Sequence, residues 1–369
     1  MSRMPQDVLL VGSIPGNDAA EAMSMCAQGV GAHLNCLPDG ETGNRRIWIN
    51  FLAATVYDRS PYLETLNRPA PVEPEHPQEW RVRGEDWAPR GYEDHWQFKV
   101  RDGVTEMDFP SLGYAEAARS SYQTFCELRD AGQIPAHIRF MVAIPLVESG
   151  VRIFLANGED YALVRSAYER ALATEIETLL SFIPADDLAI QWDICMEILA
   201  IDLDDRQIGL FPWDAEGEPA ERLMRSLKYA CELVPEQVLL GCHLCYGDLG
   251  HKHVIEPRDL RTVVDVANRA QQLVARPIDF FHMPVPRDRD DEKYFAPLEE
   301  LDIAPGKLFL GLVHHTDGLA GTKNRIDLAR KVFAGFGIAT ECGFGRRPLE
   351  QMPELLAIHR GAVDHLNHS

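Results

Sequence analysis

Eight apolar runs rich in β-branched and aromatic residues recur along the chain, most of them bounded by Gly, Pro or Asp. They cover residues 7–12, 33–38, 138–145, 188–194, 238–246, 278–284, 308–315 and 337–344. Each run is nearly continuous rather than alternating, which suits strands buried on both faces, as in a parallel sheet. Helical patterns lie between most of them. Within 161–180, Val164, Leu172, Ile176, Leu179 and Leu180 form one apolar stripe with charge opposite. Residues 218–231, 257–274, 322–336 and 348–365 also read as helices, several opening near Pro or Asp. Eight strands alternating with helices predict an α/β fold, a (β/α)8 TIM barrel, built as a single domain over residues 1–369.

Residues 47–111, after the second run, break the alternation. The stretch carries Trp48, three more of the six tryptophans, many prolines and the charged run Arg81-Val82-Arg83-Gly84-Glu85-Asp86. It is too long for a simple connection. Its aromatic content predicts an ordered, lid-like insertion that touches substrate above the barrel mouth. A packed surface excursion or a homo-oligomer contact is the competing reading.

A formal net charge of −21 argues against a nucleic-acid partner, because phosphate backbones demand a basic face, and against an anionic membrane surface. No apolar stretch approaches the roughly 18–20 residues of a membrane span. Residues 1–5 lead straight into the first run with no apolar region, and eight cysteines in 369 residues are too sparse for a disulfide scaffold. A reducing cytoplasm is the expected location.

In barrel enzymes the chemistry sits at the C-terminal ends of the strands. Here those ends present Ser13, Asp39 with Glu41, Pro145, Asp193, His243 with Cys245, His282, His315 and Cys342. A histidine and a cysteine two apart on a strand point the same way. Cys245, Cys342 and one or two histidines would make a nitrogen–sulfur site of the kind zinc prefers. Each group has a plainer alternative. Cys26, Cys36, Cys126, Cys195, Cys231 and Cys242 read as small buried hydrophobes. Asp39, Glu41 and Asp193 could be helix caps, His314 a core histidine, and His251 or His253 a donor competing with His282.

Taken in order, these segments resemble the catalytic barrel of cobalamin-independent methionine synthase, in the superfamily that includes uroporphyrinogen decarboxylase and zinc thiol methyltransferases. His243-Leu244-Cys245-Tyr246 is similar to the family's zinc motif, and Glu341-Cys342-Gly343 to its final zinc cysteine. Val11-Gly12-Ser13-Ile14-Pro15, Asp39-Gly40-Glu41 and Ile190-Gln191-Trp192-Asp193 are similar to segments that hold the amino acid substrate. The resemblance implies Zn2+ on His243, Cys245, Cys342 and, where the family has a glutamate, His282. It implies Ser13, Glu41 and Asp193 as substrate-binding groups, with Asp193 also catalytic, and His315 as proton donor. Two features depart from the family: Ile194-Cys195 replaces a Glu-Pro pair, and no tryptophan lies in 145–154, where the family stacks its folate. The length resembles the short, core-only members.

The implied activity is methyl or alkyl transfer to a small thiol held as a zinc thiolate, from folate or another donor. Exchanging the family's glutamate for His282 would leave the centre less anionic, so a bound thiol would be more acidic and its sulfur a poorer nucleophile. The alternatives are a zinc-dependent C–S or C–O lyase or thioether-forming enzyme on the same barrel, and a non-catalytic zinc-binding barrel whose site is closed.

Overall fold

The computed structural model describes residues 7–69, 95–203, 211, 213–248 and 253–368. Nine strands are present among them: β1 (Cys36–Pro38), β2 (Leu63–Asn67), β3 (Gln97–Val100), β4 (Arg139–Pro145), β5 (Leu188–Ile194), β6 (Leu239–Leu244), β7 (Phe280–Pro284), β8 (Leu308–Val313) and β9 (Phe336–Thr340). Seven form one parallel sheet in the order β1-β4-β5-β6-β7-β8-β9, and β2 and β3 form an antiparallel pair. The long helices Tyr161–Leu180, Pro219–Glu232, Arg261–Leu273, Gly318–Arg330 and Met352–His368 fall on or close to the predicted ones. Two more, Ala19–Val30 and Tyr114–Asp130, are not among the expected helices, though each buries one stripe, Ala22, Met23, Cys26, Ala27 and Val30 in the first and Tyr114, Ala115, Ala118, Ser121 and Phe125 in the second. The fourth expected helix starts earlier and stops at Arg330. A half-buried Arg325–Asp317 ion pair at 2.6 Å secures its start, and Gly335 at φ 88° turns the chain into β9.

The sheet is curled. Adjacent strands lie about 4.8 Å apart, so strands three places apart in a flat sheet would be separated by about 14 Å. Yet Cys245, just past β6, meets Cys342, just past β9, at 3.8 Å. From β5, the side chain of Gln191 donates across the interior to the Val11 carbonyl at 2.6 Å. One inward cluster joins Leu9, Val11, Cys36, Met141, Ala189, Leu239, Phe280, Phe309 and Ala339, with a contribution from every strand of the large sheet. A larger cluster fills the layer between the strands and the helices.

The first expected strand, 7–12, is extended and buried but joins the sheet only through a Val8–Ile338 bridge. Leu9 N–H donates to Ile338 O at 3.0 Å and Ile338 N–H to Asp7 O at 2.9 Å; on the other flank Val8 N–H reaches His33 O at 3.2 Å. The ladder goes no further because side chains take its acceptors: Gln191 takes the Val11 carbonyl and His282 the Thr340 carbonyl. The architecture is thus a curled seven-stranded parallel sheet with an eighth, bridged segment. No helix among the described residues is long and apolar enough to cross a membrane.

Residues 70–94, with Trp80, Trp87 and the charged run 81–86, lie outside the described residues, as does His251. The described part of the insertion packs on the segment after β4: Phe98 bridges Leu155, Tyr57 hydroxyl donates to Gly150 O at 2.6 Å, and Tyr57 meets Phe98, Phe109 and Phe154 edgewise or tilted.

Interior packing across β6 and β7 leaves no room at Gly241. A Cβ there would sit 2.0 Å from the ring of Phe280, which is itself fully buried. Gly241→Ala is therefore expected to destabilise the fold by about 1–3 kcal/mol or more through overpacking. Denaturant unfolding measures this, and an unchanged midpoint contradicts the packing.

Candidate metal centre

The register of the parallel sheet assembles the centre. Asp193 pairs with His243, and His243 pairs with His282, so one rung across β5, β6 and β7 carries all three. The Thr340 carbonyl can only accept, so His282 Nε2 carries the proton in their 2.9 Å hydrogen bond. A neutral His282 then accepts at Nδ1, and His243 Nδ1–H donates to it across 2.7 Å. Burial depresses the pKa of both histidines, His282 to about 4 and His243 well below the usual value, with His282 adding to the effect on His243. Both rings are therefore neutral at pH 7, and the lone pair of His243 Nε2 is left to face Cys342 at 3.7 Å. Metal-binding histidines are commonly oriented in this way through their second nitrogen.

The two cysteines are fixed as firmly. Gly247 N–H donates to Cys245 Sγ at 3.3 Å, and Thr340 Oγ1 donates to the Cys342 carbonyl at 2.7 Å. A bulge in β8, where the register slips between Leu310 and Val313, lets the end of β9 close in; Gly311 has no Cβ to strike Glu341, which would lie 2.7 Å away. A tetrahedral zinc with Zn–S of about 2.3 Å and Zn–N of about 2.0–2.1 Å has S–S edges of about 3.8 Å and S–N edges of about 3.6 Å. The 3.8 Å Cys245–Cys342 and 3.7 Å Cys342–His243 separations match, and one donor atom from each of the three lies within 4.8 Å of the others. The donor set fits zinc.

These donors open into a cavity of about 100 Å³ that also presents Ser13, Glu41, Trp48, Asp193, Cys195 and Arg346. One water needs about 10–15 Å³ on that measure, so the space suits a small molecule. Glu41 is held in the left-handed region at φ 49°, where Asp39 accepts from its N–H at 2.9 Å and pairs with Arg45. Such conformations cost energy and cluster at functional sites. Asp193 accepts from Trp48 Nε1 at 3.0 Å and from Gln191 at 2.9 Å. Burial raises both carboxyls, Asp193 to about 7 and Glu41 to about 8, and the charge of Asp193 adds to the effect on Glu41. Ser13 lies against the loop that carries Cys342, its hydroxyl accepting from Gly345 N–H at 3.3 Å.

Two expected residues are placed differently. His282 does not join the group of donor atoms, since both its nitrogens are engaged and it stands behind His243. His315 is not at the cavity: β8 ends at Val313, the chain turns, and His315 reaches Glu354 on the last helix at 3.0 Å. His314 stays buried, on Val285 O at 2.8 Å, and like His253 it pairs with Glu341. Conversely, Trp48, Gln191, Cys195 and the buried Asp248–Arg346 pair at 2.8 Å belong to the site without having been singled out for it. For Cys195 a signal exists, because Asp193-x-Cys195 repeats the spacing of His243-x-Cys245 on the next strand.

No family model and no curated protein matches the sequence. Among solved structures the chain is similar to a B12-independent methionine synthase from Shewanella sp. W3-18-1 in complex with selenomethionine, with a TM-score of 0.61 and 14% identity over 98% of this chain and 97% of that one. It is also similar to a protein from Listeria monocytogenes put forward as a vitamin-B12-independent methionine synthase, with a TM-score of 0.53 and 14% identity over 99% of both chains. At that identity the likeness is one of fold, and it runs the whole length of the chain.

Two outcomes follow from this geometry. His282→Ala should weaken zinc binding about 10–100-fold while leaving one metal per chain at saturation, as a lost orienting partner does; chelator competition reads this, and unchanged affinity contradicts it. The unfolded chain releases the two acidic protons near pH 4, whereas the fold retains them to about 7 and about 8, so this pair makes stability fall as pH rises through that window. The buried histidines act in the opposite sense below their usual pKa. The difference between Glu41→Gln and wild type cancels their effect. The melting temperature of Glu41→Gln should gain several degrees on wild type between about pH 4.5 and about pH 8, and a flat difference contradicts a buried, protonated Glu41.

Proposed function

We propose that this chain is a zinc-dependent transferase that moves a methyl or alkyl group to or from a small thiol, in the manner of the cobalamin-independent methionine synthases. The observation that carries the reading is the triad His243, Cys245 and Cys342, with two of its edges near those of a zinc tetrahedron and the third within 4.8 Å, opening onto a cavity with two buried carboxyls. The whole-length likeness of fold supports it. We take residues 7–12 as the first strand of a (β/α)8 barrel, residues 1–369 as one domain, and residues 47–111 as a lid whose Trp48 and His95 line the cavity.

His243, Cys245 and Cys342 would hold the ion. When bound, zinc supplies a Lewis acid that keeps a thiol sulfur in its nucleophilic thiolate form at a pH where a free thiol, with a pKa of about 8.5, is mostly protonated. The protein supplies the rest. Glu41 and Asp193 form an acidic pair that resists double ionisation, and an ammonium group entering beside them would favour the ionised carboxylates. Trp48 and Gln191 fix Asp193 for that contact, and Ile47, Trp48 and Ile49 wall out water. A small thiol that also carries an ammonium group matches both ends of the cavity. The donor of the methyl or alkyl group, folate or another, enters from the lid side. All eight cysteines are free thiols, as suits work in a reducing cytoplasm.

Metal analysis of the purified protein tests this. Wild type should carry one zinc per chain, and Cys245→Ala should lose it. Glu41→Gln should keep the zinc but bind 2-aminoethanethiol about 10-fold more weakly or worse, with 2-mercaptoethanol much less affected, because hydrogen bonds to charged groups contribute about 1.5–3 kcal/mol. Zinc-free wild type, or zinc retained by Cys245→Ala, overturns the assignment.

A further inference from the structure

We propose that Cys195 is a third sulfur donor to the metal, an exchangeable one that holds the coordination place a substrate thiol later takes. This deepens the zinc reading above and rests on it. Cys195 lies one residue past β5 and Cys245 one residue past β6. Ile194 pairs with Leu244 in register, and Cys245 N–H donates to Ile194 O at 2.9 Å, so the two cysteines leave neighbouring strands side by side. Asp193 and His243 face the cavity from the same strands, and residues two further on share that face. The Cys195 side chain lines the same cavity as the triad, beside Cys245. Its backbone is fixed, because Ser149 Oγ accepts from the N–H of both Cys195 and Met196, at 3.2 and 3.1 Å.

The triad leaves one corner of a tetrahedron open, and three of the other donors near it are engaged, while Glu41 is assigned above to the substrate ammonium. His282 uses both nitrogens, Asp193 accepts at both oxygens, and Asp248 is paired with Arg346. Cys195 lines the cavity but stands outside the group of atoms that lie within 4.8 Å of one another. It is therefore the looser donor, which suits exchange. With a metal bound, Cys195 would leave the ion as a substrate thiol took its place, and the proton of the incoming thiol would pass to the Cys195 sulfur. One thiolate replaces another, so the net charge at the centre is unchanged. Adding or removing a charge beside the buried Glu41 and Asp193 would be costly.

Cobalt(II) substitution reads the number of thiolates through the sulfur-to-metal charge-transfer absorption. Wild type, Cys195→Ser and Cys195→Ala are compared at one cobalt per chain, and that stoichiometry also reports whether the variants are folded. Three thiolates in wild type and two in the variants lower the band by about one third. Saturating 2-aminoethanethiol should leave the wild-type intensity nearly unchanged and raise that of the variants by about half, as two thiolates become three. Equal bands in wild type and variants, or a wild-type band that grows on thiol addition as the variants' does, overturns the role of Cys195 and leaves the zinc reading standing. Failure of wild type to bind cobalt, or of the thiol to perturb any of the proteins, refutes that reading itself and the exchange with it.

Discussion

The curl of the parallel sheet brings the ends of β6 and β9, three strands apart, into contact at Cys245 and Cys342, and the rest of the site depends on that meeting. It carries a cost in backbone pairing. The Thr340 carbonyl, which would continue the ladder toward the N-terminal segment, is given to His282 instead, and the Val11 carbonyl goes to Gln191. The segment 7–12 is consequently bridged at one point rather than zipped along its length. Buried carbonyls must find some donor, and here side chains of the site supply it. The same two hydrogen bonds that shorten the ladder fix the tautomer of His243 and the orientation of Asp193.

The electrostatics of the cavity are arranged in halves. On one side, burial keeps His243 and His282 neutral, and interaction with neighbouring sulfurs, with burial adding, keeps the thiols protonated. On the other, Glu41 and Asp193 are pressed together away from water, so that at least one stays protonated near neutrality. Under the proposed function each half would be completed by a cation, a metal in the first and an ammonium in the second. Glu41 is held in a left-handed backbone conformation, where the fold accepts strain to aim one carboxyl inward.

Much of this was legible from the residue order. The long apolar runs of β4 through β8 announce strands buried on both faces, and the chemical groups do cluster at their C-terminal ends. The Asp-Gly-Glu turn, the His-x-Cys pair and Cys342 all reach one cavity. What escaped depends on contacts distant in sequence. The ring of His282 is turned by a carbonyl 58 residues further on, so its place at a strand end says nothing about where its nitrogens point. His315 misses the cavity because β8 stops at Val313, two residues short of the expected run, while His314 is buried, as its core reading has it. Cys195 looks like an ordinary buried thiol until the register of β5 against β6 sets it beside Cys245. Trp48 lies in a segment read as substrate-facing, but its hydrogen bond to Asp193 spans 145 residues.

The central claim is that sulfur from two distant strand ends and nitrogen from a third position grip one metal ion. X-ray absorption at the zinc edge of the purified protein tests it most directly. The account expects at least two sulfurs at about 2.3 Å and one imidazole nitrogen at about 2.0–2.1 Å, with the sulfur shell diminished when Cys342 is replaced by serine. A shell of oxygen and nitrogen alone, or sulfur scattering that survives that replacement intact, contradicts it.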